Sequence, residues 1–159
     1  MTAEKMGETL EEGKGSLLQY STFTIADRHY GIDVRKVQEI VMPMPLTTVP
    51  LAPSCIRGLI NLRGQVATAI FLRDLLKIGD SYKSDSMNVV CQVEDNLISL
   101  LVDDVGDVIE VQRIDFQPTP NTIPESVNRF MSGVYKTSGA LLSIIDVDLI
   151  INYLNANVN

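Results

Sequence analysis

The feature that most restricts what this chain can fold into is a set of short strand-like segments that occurs twice. Apolar, alternating segments at 17–26, 29–33, 37–44, 58–62 and 65–72 precede a polar stretch at 79–86. Five more follow at 89–94, 97–102, 105–114, 131–136 and 140–147. Each is bounded by Gly, Pro, Asp, Asn or Ser, the pattern of strands separated by turns. Only 73–77 and 146–154 carry a helical pattern. The second set echoes the first. Moved by 68 positions, Phe23 meets Cys91, Tyr30 meets Ile98, Val37 meets Val105 and Glu39 meets Asp107. Moved by 75, Gly58 meets Gly133, Gly64 meets Gly139 and Ile70 meets Ile145. The seven-residue change falls in 43–54 and 117–127, loops where insertions cost little.

The expected fold is therefore mainly β: two five-stranded units related by duplication, with short helices including one at the C-terminus. Five twisted strands suit a small closed or nearly closed barrel, which removes exposed edges. One domain over 16–155 is expected, after a flexible tail at 1–15, with lobes near 17–80 and 88–152. Exchange of strands between the lobes is compatible with the same pattern. Two packed barrels leave a groove at their junction, the kind of place where partners bind.

Charge and residue inventory exclude several functions. The net charge of −7 argues against nucleic acid and against an anionic membrane surface, both of which select Lys and Arg. No apolar run approaches the ~20 residues of a membrane helix, and Glu4, Glu8, Glu11 and Glu12 stand where a secretion signal would be apolar. A cytoplasmic protein is the expectation. One histidine, His29, and two separated cysteines, Cys55 and Cys91, cannot assemble a standard zinc set. His29 reads as a turn residue, the cysteines as reduced and buried, and Asp103, Asp104 and Asp107 as a solvated strand edge without calcium-loop spacing. Neither Gly7–Ser16 nor Gly58–Gly64 has the spacing of a phosphate loop. No catalysis, metal or cofactor is expected.

One hairpin stands out. In GLINLRG, Gly58 to Gly64, Ile60 and Leu62 share one face of a strand while Leu59, Asn61 and Arg63 share the other. Arg63-Gly64 makes the turn, with glycine supplying the positive φ. The second copy places Thr137 and Ser138 where Leu62 and Arg63 stand, so the turn itself does not need arginine. Glu39, flanked by apolar positions and costly there unless paired, is its expected partner in a bidentate ion pair.

The stretches YGIDVRKVQEIV, TTVPLAPSCIRGLINLRG and LLVDDVGDVIEV, in this order and spacing, resemble the CheW family of bacterial chemotaxis coupling proteins. The resemblance extends over residues 17–154. It implies two SH3-like β-barrels around a common core. It also implies a non-enzymatic scaffold joining the cytoplasmic tip of chemoreceptors to the regulatory domain of the histidine kinase CheA, in membrane-anchored arrays but without membrane insertion. Carried onto this chain, the receptor-binding groove should involve Val37, Glu39, Gly58, Asn61 and Arg63. The kinase contact should use Val34 and Val37. Thr68 stands where the family usually has proline, and Phe71 where it often has an acid; the added phenylalanine is read as a mark of a partner-specific apolar contact. A different class, a small-molecule sensor using the inter-barrel groove, remains the alternative.

Overall fold

The computed structural model describes residues 16–79 and 86–158. The tail expected over 1–15 lies outside them, as does most of the polar stretch at 79–86.

All ten expected strands are present. In chain order they are β1 (Leu17–Ile25), β2 (Arg28–Asp33), β3 (Val37–Val41), β4 (Ile56–Leu62) and β5 (Gln65–Phe71), then β6 (Met87–Val93), β7 (Asn96–Val102), β8 (Asp104–Gln112), β9 (Met131–Thr137) and β10 (Ala140–Ile145). The two expected helices are α1 (Leu72–Leu76) and α3 (Val147–Val158); a single turn, α2 (Glu125–Asn128), was not foreseen. Four residues are too few for a helical period to show.

The strands form two five-stranded sheets, in the orders β8-β1-β2-β10-β9 and β3-β6-β7-β5-β4. Neither is made from one half of the chain. The first takes β1 and β2 from the first half and three strands from the second; the other sheet does the converse. The two sheets are thus interleaved along the chain, an exchange of strands that the sequence pattern left open. The duplication governs this arrangement down to the register. Ser143 lies beside Tyr30 in the parallel β10–β2 pair, and the offset positions Thr68 and Ile98 lie beside each other in β5–β7. Phe23 opposite Val105 is matched by Cys91 opposite Val37, with a bulge just beyond each pair.

The barrels expected from the sequence are not closed. Among the described residues the edge strands of each sheet form no ladder with one another. Instead the connection between β3 and β4 returns beside β4, where Thr47 and Leu59 exchange two backbone hydrogen bonds of 2.9 and 2.8 Å. Gln117 and Val134 repeat the same bridge in the other sheet. One bridged residue satisfies the edge locally where a full ladder would have closed it.

The main core lies between the sheets, and it includes Phe23, Ile32, Ile70, Leu100, Phe130 and Ile151. Smaller clusters fill each sheet's own concavity. One holds Ile60, Leu62, Ala67, Ala69 and Phe71; the other holds Tyr20, Tyr135, Leu142 and Ile144. Phe71 is therefore buried and marks no surface contact. It fills the space left by Ala67 and Ala69, whose offset positions are the larger Leu142 and Ile144, and its ring lies 3.9 Å under the Arg57 guanidinium.

The chain crosses between sheets twice, through a 3-10 turn at Val34–Lys36 and again at Asp103. Each crossing is tied to a helix. Asp103 is ion-paired with Arg73 of α1, both side chains only 13% exposed, and it also accepts from the Ala26 amide at 2.9 Å. Asp103 is thus not the solvated edge residue its neighbours suggested; Asp104 and Asp107 are exposed. At the other crossing Lys36 meets Asp148 of α3 at 3.4 Å, with 40% and 48% exposure. Removing one partner of a buried pair strands the other. Asp103→Ala is expected to lower unfolding free energy by about 3–5 kcal/mol, and Lys36→Ala by no more than about 1 kcal/mol. Urea unfolding of both variants checks that order.

Candidate functional site

The hairpin of β4 and β5 turns at Arg63 and Gly64, with φ of +52° and +91°. Positive φ at both central residues is the hairpin turn whose twist matches the strands it joins. The Asn61 side-chain oxygen accepts from the Gly64 amide at 2.9 Å, so the asparagine caps the turn from inside. Ile60 and Leu62 point into the sheet's own core, as the alternation required.

Arg63 meets Glu39. The contact runs from Nη2 to Oε2, a single prong where a bidentate pair was expected. Glu39 is 22% exposed and Arg63 72%. The pair spans the open side of its sheet, because β3 and β4 are its two edges. The arginine's hydrogen bond lowers the Glu39 carboxyl from its ordinary value, while most of the guanidinium faces outward. Chemically this is an oriented cation at a hairpin tip, with one of its five N–H donors engaged by Glu39.

The other expected site residues fall elsewhere. Gly58 is buried, with φ of +148°; an added Cβ would stand 2.4 Å from the Thr47 carbonyl oxygen. Its role is to let the β3–β4 connection approach the edge strand. Gly133 does the same in the other sheet for the Gln117 carbonyl and the Phe116 ring. Val37 is half-buried and packs against the main core, and Val34 lies in the crossing turn just before it. The structure therefore brings Glu39, Asn61 and Arg63 together, sets Gly58 beneath the neighbouring connection, and places Val34 and Val37 at the junction of the sheets. None of these residues lines the larger cavities described below.

Sequence reasoning passed over the exposed apolar residues. Ile40 and Met42 project from β3 and its end, and Val66 from β5 opposite Asn61. Leu46 and Phe116 each stand one residue before the bridging Thr47 and Gln117, and Ile114 lies beside the second. They are scattered over loops and strands, and of them only Leu46 and Phe116 share a position, the one before each bridge.

An open cleft lies on the outer face of β4 and β5, about 510 Å³, between Leu59, Thr68 and the loop carrying Val49 and Leu51. Thr68, the position where proline was the expectation, forms part of its floor. Among the described residues no three His, Cys, Asp or Glu side chains are grouped to hold a metal ion. No helix there is long and apolar enough to cross a membrane. Burial pushes the Cys91 thiol up to about 12, and that of Cys55 upward as well, so both stay protonated at neutral pH.

Comparison with known proteins places this arrangement. A family model described as CheW-like domain matches residues 19–155. The chain is 31% identical over 144 residues to a chemotaxis protein CheW of Helicobacter pylori, covering 89% of this chain and 86% of that one. It is 30% identical over 129 residues to the Rhizobium meliloti protein of the same name, covering 79% and 82%. The crystal structure of the scaffolding protein TtCheW from Thermoanaerobacter tengcongensis superposes with a TM-score of 0.75 at 31% identity, covering 81% of this chain and 88% of that one.

Two outcomes follow from the hairpin geometry. Gly64→Ala meets nothing within 4 Å and should cost only the left-handed backbone term, about 1–2 kcal/mol. Gly58→Ala should cost more, since the carbonyl its Cβ would strike is itself bonded to Leu59; denaturant unfolding ranks the two. Because the folded Glu39 carboxyl titrates below its unfolded value, its contribution is present above the ordinary glutamate range and lost as pH falls through the folded value. The stability difference between wild type and Glu39→Gln should therefore shrink on acidification from about pH 6 downward, which thermal unfolding across pH measures.

Proposed function

The chain belongs to the CheW-like domain family, a family of scaffold proteins, and from that premise we propose that it couples chemoreceptors to the histidine kinase CheA as a non-enzymatic cytoplasmic adaptor. The match across residues 19–155, with a solved scaffolding protein of the same fold, is the observation that carries this reading.

The receptor tip, a helical hairpin, docks where Glu39, Asn61 and Arg63 meet. Gly58 and Val37 shape that surface from beneath: the first admits the β3–β4 connection, and the second anchors β3 on the core. Exposed Ile40 and Val66 supply apolar area near the cation, and Arg63 supplies a rim charge that fixes register. The kinase's regulatory domain docks at the sheet junction near Val34 and Val37. Linkage of this kind transmits a signal only if the adaptor binds the receptor's conformational states with different affinity.

A pull-down with purified receptor tip and kinase regulatory domain tests the proposal. Wild type should retain both. Arg63→Glu should weaken receptor retention about tenfold or more, since a reversed charge at a docking rim costs several kcal/mol, while kinase retention persists. Retention of neither partner by wild type overturns the scaffold reading.

A further inference from the structure

The duplication maps α1 onto α3, but the two helices differ in length. At the 75-residue offset Leu76, the last residue of α1, corresponds to Ile151, and Gly79 corresponds to Leu154. In α3, Ile151 and Leu154 lie over Ile56, Thr68 and Ile98, leaving a cleft of about 160 Å³. At the corresponding place beside α1 the chain leaves the helix through Lys77, in the left-handed conformation. A side chain at Gly79 would strike Arg73, because its Cβ would stand 2.2 Å from Nη1. The buried Arg73–Asp103 pair therefore keeps a counterpart of Leu154 from forming. What remains is a cavity of about 320 Å³ whose walls include Tyr30, Ile78, Ile123, Val127, Leu141 and Ser143. Tyr30 and Ser143 are the offset partners of Ile98 and Thr68.

The mouth of this cavity differs in charge from the rest of an acidic chain. Arg28 and His29 line it; among its described lining residues Asp27 is the single carboxylate, and exposed Glu125 follows the lining Pro124. Exposed Lys77 adjoins Ile78, and exposed Lys136 is the register partner of Leu141. Arg28 occupies the offset position of Asn96, which lines the α3 cleft together with Asn155.

We propose that this cavity is a docking site for one or two turns of an acidic amphipathic helix of a partner protein. The helix presents two apolar side chains three residues apart and a carboxylate next to the second. It repeats in trans what α3 does in cis: the apolar pair takes the places of Ile151 and Leu154, and the carboxylate, at the place of Asn155, meets Arg28. This surface is independent of the Arg63 hairpin, so its failure and that of the adaptor reading are distinguishable.

The probe is a peptide of the chain's own residues 147–158 carrying Asn155→Glu, titrated into the full-length isotope-labelled protein and followed by NMR. Saturable shifts at Tyr30, Val127 and Leu141 are expected, with affinity about tenfold above that of the unmodified peptide for one charge-assisted hydrogen bond. Ala140→Trp, which plugs the cavity, should abolish binding, provided its spectrum remains folded. The exposed Arg28→Glu variant should remove the preference for the glutamate peptide without disturbing the core. No saturable shift at millimolar peptide, or equal affinity for both peptides, overturns the proposal. Shifts produced by octanoate but not by peptide would identify a small-molecule site and overturn it too.

Discussion

The structure depends on the chain changing sheets twice. Because β2 leads into β3 and β7 into β8 across the inter-sheet core, neither half can complete a sheet from its own strands. The two units cannot separate without breaking both, and the main core between them is a consequence rather than an added interface. Each crossing carries an ion pair to the helix that follows the hairpin of the other half, buried at Asp103 and half-exposed at Lys36. Their polarity is reversed. Arg73 of α1 and Asp148 of α3 are offset partners, and they pair with Asp103 and Lys36 respectively. The duplication preserved the presence of a charge pair at each crossing and not its direction, which is what Coulomb attraction alone would require.

Backbone symmetry of this quality makes the side-chain differences informative. Registers, bulges and connection bridges agree between the sheets, yet the fillings diverge. Alanines at 67 and 69 with Phe71 occupy one concavity, while Leu142 and Ile144 with two tyrosines occupy the other. The helices diverge more, because a buried guanidinium beside Gly79 ends one where the other continues for two turns. Such departures locate function better than shared features do: what both halves keep serves the fold, and what one half alone carries calls for a separate reason.

The same logic explains what could be read from the residues. Strand positions and offsets followed from alternation and turn residues. Which strand neighbours which did not, because a period of two fixes the face a residue points to and says nothing of the strand beside it. A repeat is equally satisfied by separate and by interleaved sheets. Barrel closure failed for a related reason: the β3–β4 connection covers the edge through Thr47 alone, and nothing in its composition announces one backbone bridge. Asp103 looked solvated beside Asp104 because its partner lies thirty positions away. The Arg63–Glu39 pair was legible because the second copy of the hairpin dispenses with arginine.

That pair is better understood as a presented charge than as a strut. Arg63 is 72% exposed, and an ion pair in such a setting contributes little to stability. The β3–β4 connection is separately tied to β4 by two backbone hydrogen bonds between Thr47 and Leu59. Meanwhile arginine at φ +52° is strained, where the other copy turns with only its glycine at positive φ. Arg63 thus does more to present a charge outward than to hold its strands together. Glu39, less exposed and on the facing edge strand, fixes the direction in which the guanidinium points. The hairpin thus carries an oriented cation at the open side of a sheet, with exposed Ile40 following Glu39 along β3 and exposed Val66 opposite Asn61, the features on which the proposed receptor docking rests.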